Sequence, residues 1–246
     1  EEANQALYQG TSIGSPDFDP AISRMRVFGG SCNLWGGGCI PLGKLEAREW
    51  VPDSEWPISY EDLEPYYRHA RDFCHIERHD FAEDTFLTPP CEAPLEFDAR
   101  NVVNKTFAHS PIIFGDTYRA ELEQSPNITI LLYANLLELD ASTDGSAVHQ
   151  ARIGTLEGRT GTVRAKQYVL ACGGIENARL LLVSDSTAPN GLGNQHDLVG
   201  RYFMDHPSGK LGTLYTPEAD RIARPYDRDL HKTPTSVHPE ICLSDE

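Results

Sequence analysis

Residues 26–41 form a glycine-rich stretch that constrains the backbone more than any other part of the chain. Five glycines fall within ten residues, at positions 29, 30, 36, 37 and 38, with Trp35 among them. Glycine tolerates positive φ and lets another molecule approach the backbone closely, and successive bare N–H groups form a concavity that suits a phosphate. The stretch therefore predicts either a phosphate-binding loop with Trp35 against a flat partner, or a plain glycine-rich loop around a core tryptophan.

Composition limits the class of protein and its partners. The chain has 246 residues, 39% of them hydrophobic, which is enough for one large domain or two small ones. With 21 basic and 37 acidic residues the net charge is −16, so we expect neither nucleic acid nor an anionic membrane as a partner. No apolar run approaches the roughly 20 residues of a membrane helix. No signal peptide is visible, which favours the cytoplasm, but a chain beginning at Glu1 leaves its N-terminus and location open.

Cysteine and histidine spacing predicts neither a disulfide framework nor a metal site. The six cysteines contain no C-x-x-C pair and are widely spaced, which predicts reduced, mostly buried thiols. Cys74, His75 and His79 could suggest a metal cluster, but no second ligand pair stands at zinc spacing. We therefore predict no metal site. A metal-dependent hydrolase that uses the histidines is the weakest of three functional interpretations.

The first half of the chain predicts few regular elements. Residues 1–25 are interpreted as a surface loop, and a helix begins near Ser59, with Pro65 in its first turns. Leu63, Tyr66, Tyr67, Ala70 and Phe73 recur at helical spacing and predict its buried face. Residues 80–106 are interpreted as a long excursion and 112–114 as a short strand. Asp116 is expected to cap a helix that ends near Glu123.

The second half predicts an antiparallel meander followed by a helix. Its strands are expected at 128–133, extended past a bulge to Leu139, then at 148–156 and 162–171, with 167–171 buried on both faces. Gly173 and Gly174 precede a predicted helix over 175–184, an arrangement that points helical N–H groups at an anion. A short helix-like stretch at 196–199 and a strand at 209–215 complete the prediction.

Three stretches also resemble a known family. Residues 29–37 (GGSCNLWGG) are similar to the flavin-contacting loop of the glucose–methanol–choline (GMC) oxidoreductases, nearest to the sugar-dehydrogenase and pyranose-oxidase-like branch. Residues 169–182 (VLACGGIENARLLL) and 198–207 (LVGRYFMDHP) agree with that family in order and spacing, with Trp50-Val51-Pro52 and 56–60 between them. The resemblance covers nearly the whole chain.

The resemblance implies an FAD-dependent oxidoreductase that acts on the CH–OH group of an alcohol or sugar by hydride transfer to flavin N5. The pyrophosphate, ribose and flavin ring would contact the two glycine-containing segments, and relatives hold adenine near the position of Leu136, for which ordinary strand core is an equal alternative. The implied cofactor-binding residues are Gly29, Gly30, Ser31, Asn33, Leu34, Trp35, Gly36, Gly37, Leu136, Ala171, Cys172, Gly173 and Gly174. Ser31 and Asn33 can donate hydrogen bonds to phosphate or to polar atoms of the flavin.

Leu34 bears on how FAD would be held. In pyranose oxidases a histidine of this loop bonds covalently to the flavin, whereas this sequence has Leu34 at that place and no histidine from Glu1 to Arg68. We therefore expect non-covalent FAD. The implied partners are a small alcohol or sugar substrate and, as in some relatives, an electron-acceptor protein or small subunit.

The sequence also departs from the family. It contains no G-x-G-x-x-G between a strand and a helix, and nothing after Pro207 resembles the family's catalytic histidine region. His206 is interpreted as a structural residue rather than a base, so no catalytic residue is assigned. The chain is expected to be a central fragment of a GMC protein, without the N-terminal dinucleotide-binding βαβ unit and the C-terminal catalytic segment. We expect the full-length protein to be an enzyme and residues 1–246 alone to be inactive.

The predicted fold class is α/β with α+β character, part of a two-domain GMC-type fold with an antiparallel meander. Residues 1–42 and 116–200 would form an incomplete flavin domain, and 43–115 and 201–246 an incomplete substrate domain. The alternative function, from another class, is a non-catalytic binding or scaffold protein derived from the same fold.

Overall fold

The computed structural model describes residues 2–14, 19–42, 56–76, 94–204, 209–210, 212–227 and 237–244. The chain divides into two units, each of which contains helices and a three-stranded antiparallel sheet, so the architecture is mixed α and β. Unit 1 comprises Glu1–Leu34 and Phe114–Gly209, and unit 2 comprises Trp35–Ile113 and Lys210–Glu246. The assignment of a flavin domain and a substrate domain to parts of the chain stays a prediction.

The described elements are numbered in chain order. The helices are α1 (Glu2–Gln5), α2 (Tyr60–Phe73), α3 (Phe114–Thr117), α4 (Arg119–Gln124), α5 (Gly174–Val183) and α6 (Ala219–Ala223). The strands are β1 (Gly38–Cys39), β2 (Val102–His109), β3 (Asn135–Ala141), β4 (Val148–Gly154), β5 (Thr160–Val163) and β6 (Val237–Leu243). Short 3-10 turns lie at Ala6–Tyr8, Gly30–Leu34 and Arg224–Tyr226.

The sheet of unit 1 has the order β3-β4-β5. In β3 and β4, Asn135 pairs with Gly154 and Leu139 with Ala151, and the register shifts between Leu136 and Glu138. Glu138 is 7% exposed, and its carboxylate accepts hydrogen bonds from Arg152 across the strand pair at 2.6 Å and from the Ser186 N–H at 3.2 Å. The Glu138 carboxylate thus joins the meander to the segment that follows α5.

Helix α5 packs on β3 through its C-terminal end. Leu180 is 2% exposed and Ser184, the C-cap residue, is 1% exposed. The Ser184 hydroxyl accepts a hydrogen bond from the Leu139 N–H at 3.0 Å and donates one to the Leu180 carbonyl at 2.6 Å. One buried hydroxyl therefore satisfies groups on both the strand and the helix.

Unit 2 contains the sheet β1-β2-β6, in which β2 is central. Its buried apolar cluster is small and consists of Ile76, Ala108 and Val237, with Cys39 and Cys74 packed against it. The Tyr226 hydroxyl donates to the Asn104 side chain and accepts from the Leu95 N–H, both at 2.9 Å, which ties the 3-10 turn at 224–226 to β2.

Several predicted elements are confirmed. Helix α2 follows Ser59, which forms a capping box with Asp62. Helix α5 begins after Gly173, β4 lies inside its predicted range, and the meander of β3, β4 and β5 is antiparallel. Two details of α2 differ from the prediction. Pro65 lies inside the helix, beyond the first turn in which its missing N–H would be harmless, and Tyr66 and Phe73 on the predicted buried face are 66% and 54% exposed.

Several predicted strand segments do not form in the part of the chain that the structure describes. Residues 112–113 are irregular because Pro111 has no N–H for a ladder and Phe114 already starts α3, which also contains Asp116 as an internal residue rather than its cap. Residues 128–133 are irregular and end in a turn in which Tyr133 has φ +59, so β3 begins only at Asn135.

The end of the predicted meander, residues 164–171, does not form a strand either. Strand β5 stops at Val163, and the chain folds back because the Tyr168 hydroxyl accepts from the Ala165 N–H and donates to the carbonyls of His149 and Val163. Val169 is 86% exposed, so the predicted burial of 167–171 on both faces is wrong.

Other differences concern shorter segments. Residues 195–200 form turns rather than a helix, and no strand forms at 209–210 or 212–215, while Leu211 lies outside the described residues. The sequence analysis did not predict strands β2 and β6. It also did not predict helix α1 and the 3-10 turn at Ala6–Tyr8 that follows it. The sequence of β2, VVNKTFAH, lacks the regular alternation of apolar and polar residues that predicts a strand, because the polar residue Thr106 occupies a buried position and is 2% exposed.

Replacing the buried hydroxyl of Ser184 tests the contact between α5 and β3. In the full-length protein we expect Ser184→Ala to lower the free energy of unfolding of unit 1 by about 1–3 kcal/mol, because the Leu139 N–H loses its acceptor in a buried position. Denaturant unfolding measures the change. Ser186→Ala is the matched control, since Ser186 is exposed and its contact with Glu138 uses the backbone N–H. Equal stability of both variants would contradict the role given to this hydroxyl.

Candidate functional site

The first part of the glycine-rich stretch lies in unit 1 and is a single 3-10 turn over Gly30–Leu34. Gly29 and Gly30 enter it with φ of +87° and +59°, which is the region that glycine adopts without strain. The Gly30 N–H donates to the Val27 carbonyl at 2.9 Å, and the Ser31 hydroxyl accepts from the Met25 N–H at 3.0 Å. The turn is therefore closed by local hydrogen bonds before any partner is present.

Asn33 locks this turn against α3. Its side-chain amide donates to the Phe28 carbonyl and accepts from the Gly115 N–H, both at 2.9 Å. A Cβ on Gly29 would lie 2.5 Å from the Asn33 amide oxygen and 2.6 Å from the Gly115 Cα, so both glycines serve close packing. Both the nitrogen and the oxygen of the Asn33 side-chain amide are thus hydrogen-bonded within unit 1. Its role toward a ligand stays a prediction.

Other residues of the turn face open space. A Cβ on Gly30 would meet nothing within 4 Å, and Leu34 is 53% exposed. Ser31 and Cys32 are exposed as well. The outer side of the turn therefore offers accessible backbone, as a phosphate-binding loop requires.

The second predicted segment, Ala171–Gly174, forms the turn that leads into α5. Gly173 is the N-cap residue with φ +88, and neither Gly173 nor Gly174 has an atom within 4 Å of a Cβ position. All four residues are exposed. Asn177 braces the turn, because its side chain accepts from the Cys172 N–H at 2.9 Å and donates to the Leu170 carbonyl at 3.0 Å.

A buried carboxylate joins the two segments. Glu176, in the first turn of α5, is 6% exposed, and it pairs with Arg24 at 3.0 Å and with Arg179 at 2.9 Å. Arg26 lies 4.0 Å from the same carboxylate. Arg26 is the first residue of the glycine-rich stretch and Arg24 lies two residues before it, so Glu176 fixes the entry of that stretch beside the turn at Ala171–Gly174.

Arg26 also contacts the start of β3, next to the predicted adenine-binding residue Leu136. The Arg26 guanidinium donates to the Asn135 side chain at 2.6 Å, and Asn135 opens β3 directly before Leu136. Leu136 is half-buried and pairs with Ile153. The Arg24 and Arg26 guanidiniums also lie over the Tyr8 ring, 4.0 and 4.9 Å from its centroid, which packs the N-terminal turn onto this cluster. We call Arg24, Arg26, Arg179 and Glu176 the arginine–glutamate cluster.

The remaining predicted residues lie in unit 2. The Trp35 indole N–H donates to the Ile112 carbonyl at 2.9 Å, and Trp35 is half-buried. Gly37 has φ +74 and accepts from the Ser110 N–H at 2.8 Å, and a Cβ there would lie 2.5 Å from the Ser110 carbonyl oxygen. Gly36 has open space around it. In unit 2, then, Gly37 is required for packing and Gly36 is not.

Sequence reasoning missed the residues that assemble the site. Glu176 and Asn177 lie within the stretch at 169–182, and Arg24 and Arg26 lie at the start of the glycine-rich stretch, but none of the four was assigned a role. A signal did exist, because an acidic residue in the first turn of an amphipathic helix and two arginines before a glycine-rich loop are candidates for an ion pair. A pocket of about 140 Å³ lies between Ala134, Thr155 and Arg159, and none of its lining residues belongs to the predicted cofactor set.

Within the part of the chain that the structure describes, no three His, Cys, Asp or Glu side chains are grouped as metal ligands, and no helix is long and apolar enough to cross a bilayer. His79 and His206, which the sequence analysis considered, lie outside the described residues.

Comparison with known proteins finds sugar-oxidising oxidoreductases. The chain is 31% identical to 6'''-hydroxyparomomycin C oxidase of Streptomyces lividus over 110 residues and 35% identical to paromamine 6'-oxidase of Streptomyces fradiae over 122 residues. It is 50% identical to the fructose dehydrogenase large subunit of Gluconobacter japonicus over 46 residues. These matches cover 44%, 49% and 18% of this chain and 20%, 22% and 8% of the relatives, respectively. No protein-family model matches the chain.

Asn33 provides a test of how the turn is held. We expect Asn33→Asp to destabilise unit 1 by about 1–3 kcal/mol, because a carboxylate cannot donate to the Phe28 carbonyl and places two acceptors face to face. Asn127→Asp, at an exposed position, is the control and should change stability by less than about 0.5 kcal/mol. Thermal or denaturant unfolding of the full-length variants measures both, and similar effects of the two substitutions would show that Asn33 does not hold the turn.

Proposed function

We propose that this chain is part of an FAD-dependent oxidoreductase that acts on the CH–OH group of an alcohol or sugar, of the GMC type. The observation that carries the proposal lies within unit 1. The segments that resemble two separate FAD-contacting regions of that family, at 29–34 and 171–174, are tied to one buried carboxylate, Glu176, through Arg24 and the helix that follows Gly173. Their similarity is thus accompanied by a physical link between segments far apart in sequence.

The matched relatives support the same proposal by their chemistry. All three carry names of enzymes that oxidise sugars or aminoglycosides: two oxidases and one dehydrogenase subunit. Since the matches span about a fifth or less of those proteins, the activity, substrate and partners of the whole protein belong to the proposal. The name of the fructose dehydrogenase large subunit also supports a small subunit or electron-acceptor protein as a proposed partner.

The residues of unit 1 fit a bound dinucleotide in two respects. The glycines at 30, 173 and 174 have empty space where a side chain would stand, which leaves room for a ligand against the backbone. The N-terminal end of the ten-residue helix α5 is exposed beside them, and helix N-termini attract phosphate. Gly30, Ser31, Cys172, Gly173 and Gly174 would line the phosphates. Leu136 stays the proposed adenine position. Trp35, Gly36 and Gly37 lie in unit 2, and their predicted contact with FAD stays a prediction.

Each part of the chain would then have a defined task. When bound, FAD would supply the oxidising group for removal of a hydride from the alcohol carbon. The residues of unit 1 bind and orient it: Gly30 leaves the approach to the backbone open, Asn177 holds the Cys172 N–H in place, and Glu176 keeps the two glycine segments together. No proton acceptor for the substrate hydroxyl is assigned to this chain.

The activity proposal is tested on the full-length gene product. Its absorption spectrum should show a flavin, and adding a substrate sugar or aminoglycoside in the absence of oxygen should bleach it. A protein that purifies with flavin but is not reduced by any sugar or alcohol would favour the non-catalytic alternative. A folded protein that takes up no FAD would overturn the cofactor assignment itself.

Gly30 offers a test of the proposed contact that does not depend on turnover. We expect Gly30→Ala to weaken FAD retention about tenfold or more, since the added methyl would enter the space proposed for the ligand. Gly145→Ala is the matched control, because Gly145 also has positive φ, at +70°, and open space, but lies in the β3–β4 turn. Flavin content after gel filtration measures both, and equal retention in the two variants would remove Gly30 from the site.

The mode of FAD attachment gives a separate prediction. Leu34 stands where pyranose oxidases carry the histidine that binds flavin covalently, and its side chain offers no nucleophile. We expect acid precipitation of the full-length protein to release all flavin into the supernatant. Flavin that stays with the precipitate, and with one peptide after digestion, would contradict non-covalent binding.

A further inference from the structure

Two cysteines of unit 2 lie together although they are far apart in sequence. Cys39 ends β1 and Cys74 caps the C-terminus of α2, and both pack against the buried cluster of Ile76, Ala108 and Val237. The Cys39 thiol donates to the Gly37 carbonyl at 3.5 Å and lies near enough to the Cys74 thiol for the two to affect each other's pKa, and neither cysteine is in a disulfide. Both cysteines therefore pack on one small cluster of three residues, and a disulfide forms only between cysteines that lie so close together.

The surroundings hold the two sulfur-bearing segments in place. The Ser110 N–H donates to the Gly37 carbonyl at 2.8 Å, and the Ser110 hydroxyl donates to the Cys74 carbonyl at 2.6 Å. Ser110 is 3% exposed and follows β2. It therefore clamps the backbone that leads into Cys39 against the backbone of Cys74, so that the thiol contact is built into the fold.

We propose that Cys39 and Cys74 form an intramolecular disulfide under oxidising conditions, with a peroxide as the oxidant. One thiolate attacks a peroxide oxygen and becomes a sulfenic acid while hydroxide or water leaves. The second sulfur then attacks that sulfenic sulfur, the S–S bond forms and a second water leaves, so that two thiols and one hydrogen peroxide give one disulfide and two waters. The bond would tie the end of the glycine-rich stretch to the end of α2.

Burial predicts slow oxidation of the pair under mild conditions. It raises the pKa of the Cys39 thiol to about 11, with the neighbouring Cys74 adding to the shift, and it raises the pKa of Cys74 as well. Because the thiolate is the reactive form, the pair should react more slowly near neutral pH than an exposed thiol does. Cys32 and Cys172 are exposed and serve as the internal comparison.

The experiment uses this difference in access. The reduced full-length protein is treated at neutral pH with N-ethylmaleimide to block exposed thiols, freed of reagent, and then oxidised with hydrogen peroxide at alkaline pH. Trypsin without reductant should yield residues 27–44, blocked at Cys32, joined to residues 72–78, with a mass two hydrogens below the sum of the two peptides. Cys39→Ser and Cys74→Ser should each abolish the joined species.

The wild-type protein alone decides the question if either variant fails to fold. Repeated in guanidinium chloride, the oxidation should give a mixture of cysteine pairs, whereas the native protein should give mainly the 39–74 pair. A native protein in which Cys39 and Cys74 are oxidised separately to sulfinic acids, are alkylated as fast as Cys32, or pair with other cysteines would overturn the proposal.

Discussion

The carboxylate of Glu176 is the group on which the arrangement of unit 1 depends. It is buried, and a buried charge is tolerated only when it is paired and hydrogen-bonded. Arg24 and Arg179 supply those bonds and Arg26 lies close by. A carboxylate left buried without any partner would cost about 3–5 kcal/mol, which is a large share of the stability of a domain. The chain before the glycine-rich stretch is thereby committed to one position against α5.

Glycine supplies a second constraint, and it acts differently from residue to residue. Gly29 and Gly37 are required because the fold itself fills the space around them, whereas Gly30, Gly173 and Gly174 border open space. A loop in which every glycine served packing would need no ligand to explain it. In unit 1, Gly30, Gly173 and Gly174 are the glycines with open space in the two segments that we propose for the dinucleotide.

The sequence predicted elements whose signal is local. Ser59 and Asp62 cap α2, Gly173 precedes α5, and Ala151 and Ile153 alternate with polar residues in β4, so these elements were predicted. Elements that depend on distant partners were missed: β2 and β6 exist because they pair with each other, and 167–171 is apolar yet lies outside any described sheet because Tyr168 turns it back on Val163. For the same reason the glycine segments could be named from the sequence, but the ion pairs that join them, between Arg24 and Glu176 above all, could not.

Amide hydrogen exchange in Glu176→Gln tests most directly whether this one charge joins the segments. The reporters are the N–H groups of Met25, Gly30 and Cys172, which are hydrogen-bonded within the two segments. Glu218→Gln, which removes an exposed ion pair with Arg221, is the control. The account predicts that exchange of all three amides accelerates together in Glu176→Gln and is unchanged in Glu218→Gln. Acceleration of Cys172 alone, with Met25 and Gly30 as protected as in the wild type, would contradict it.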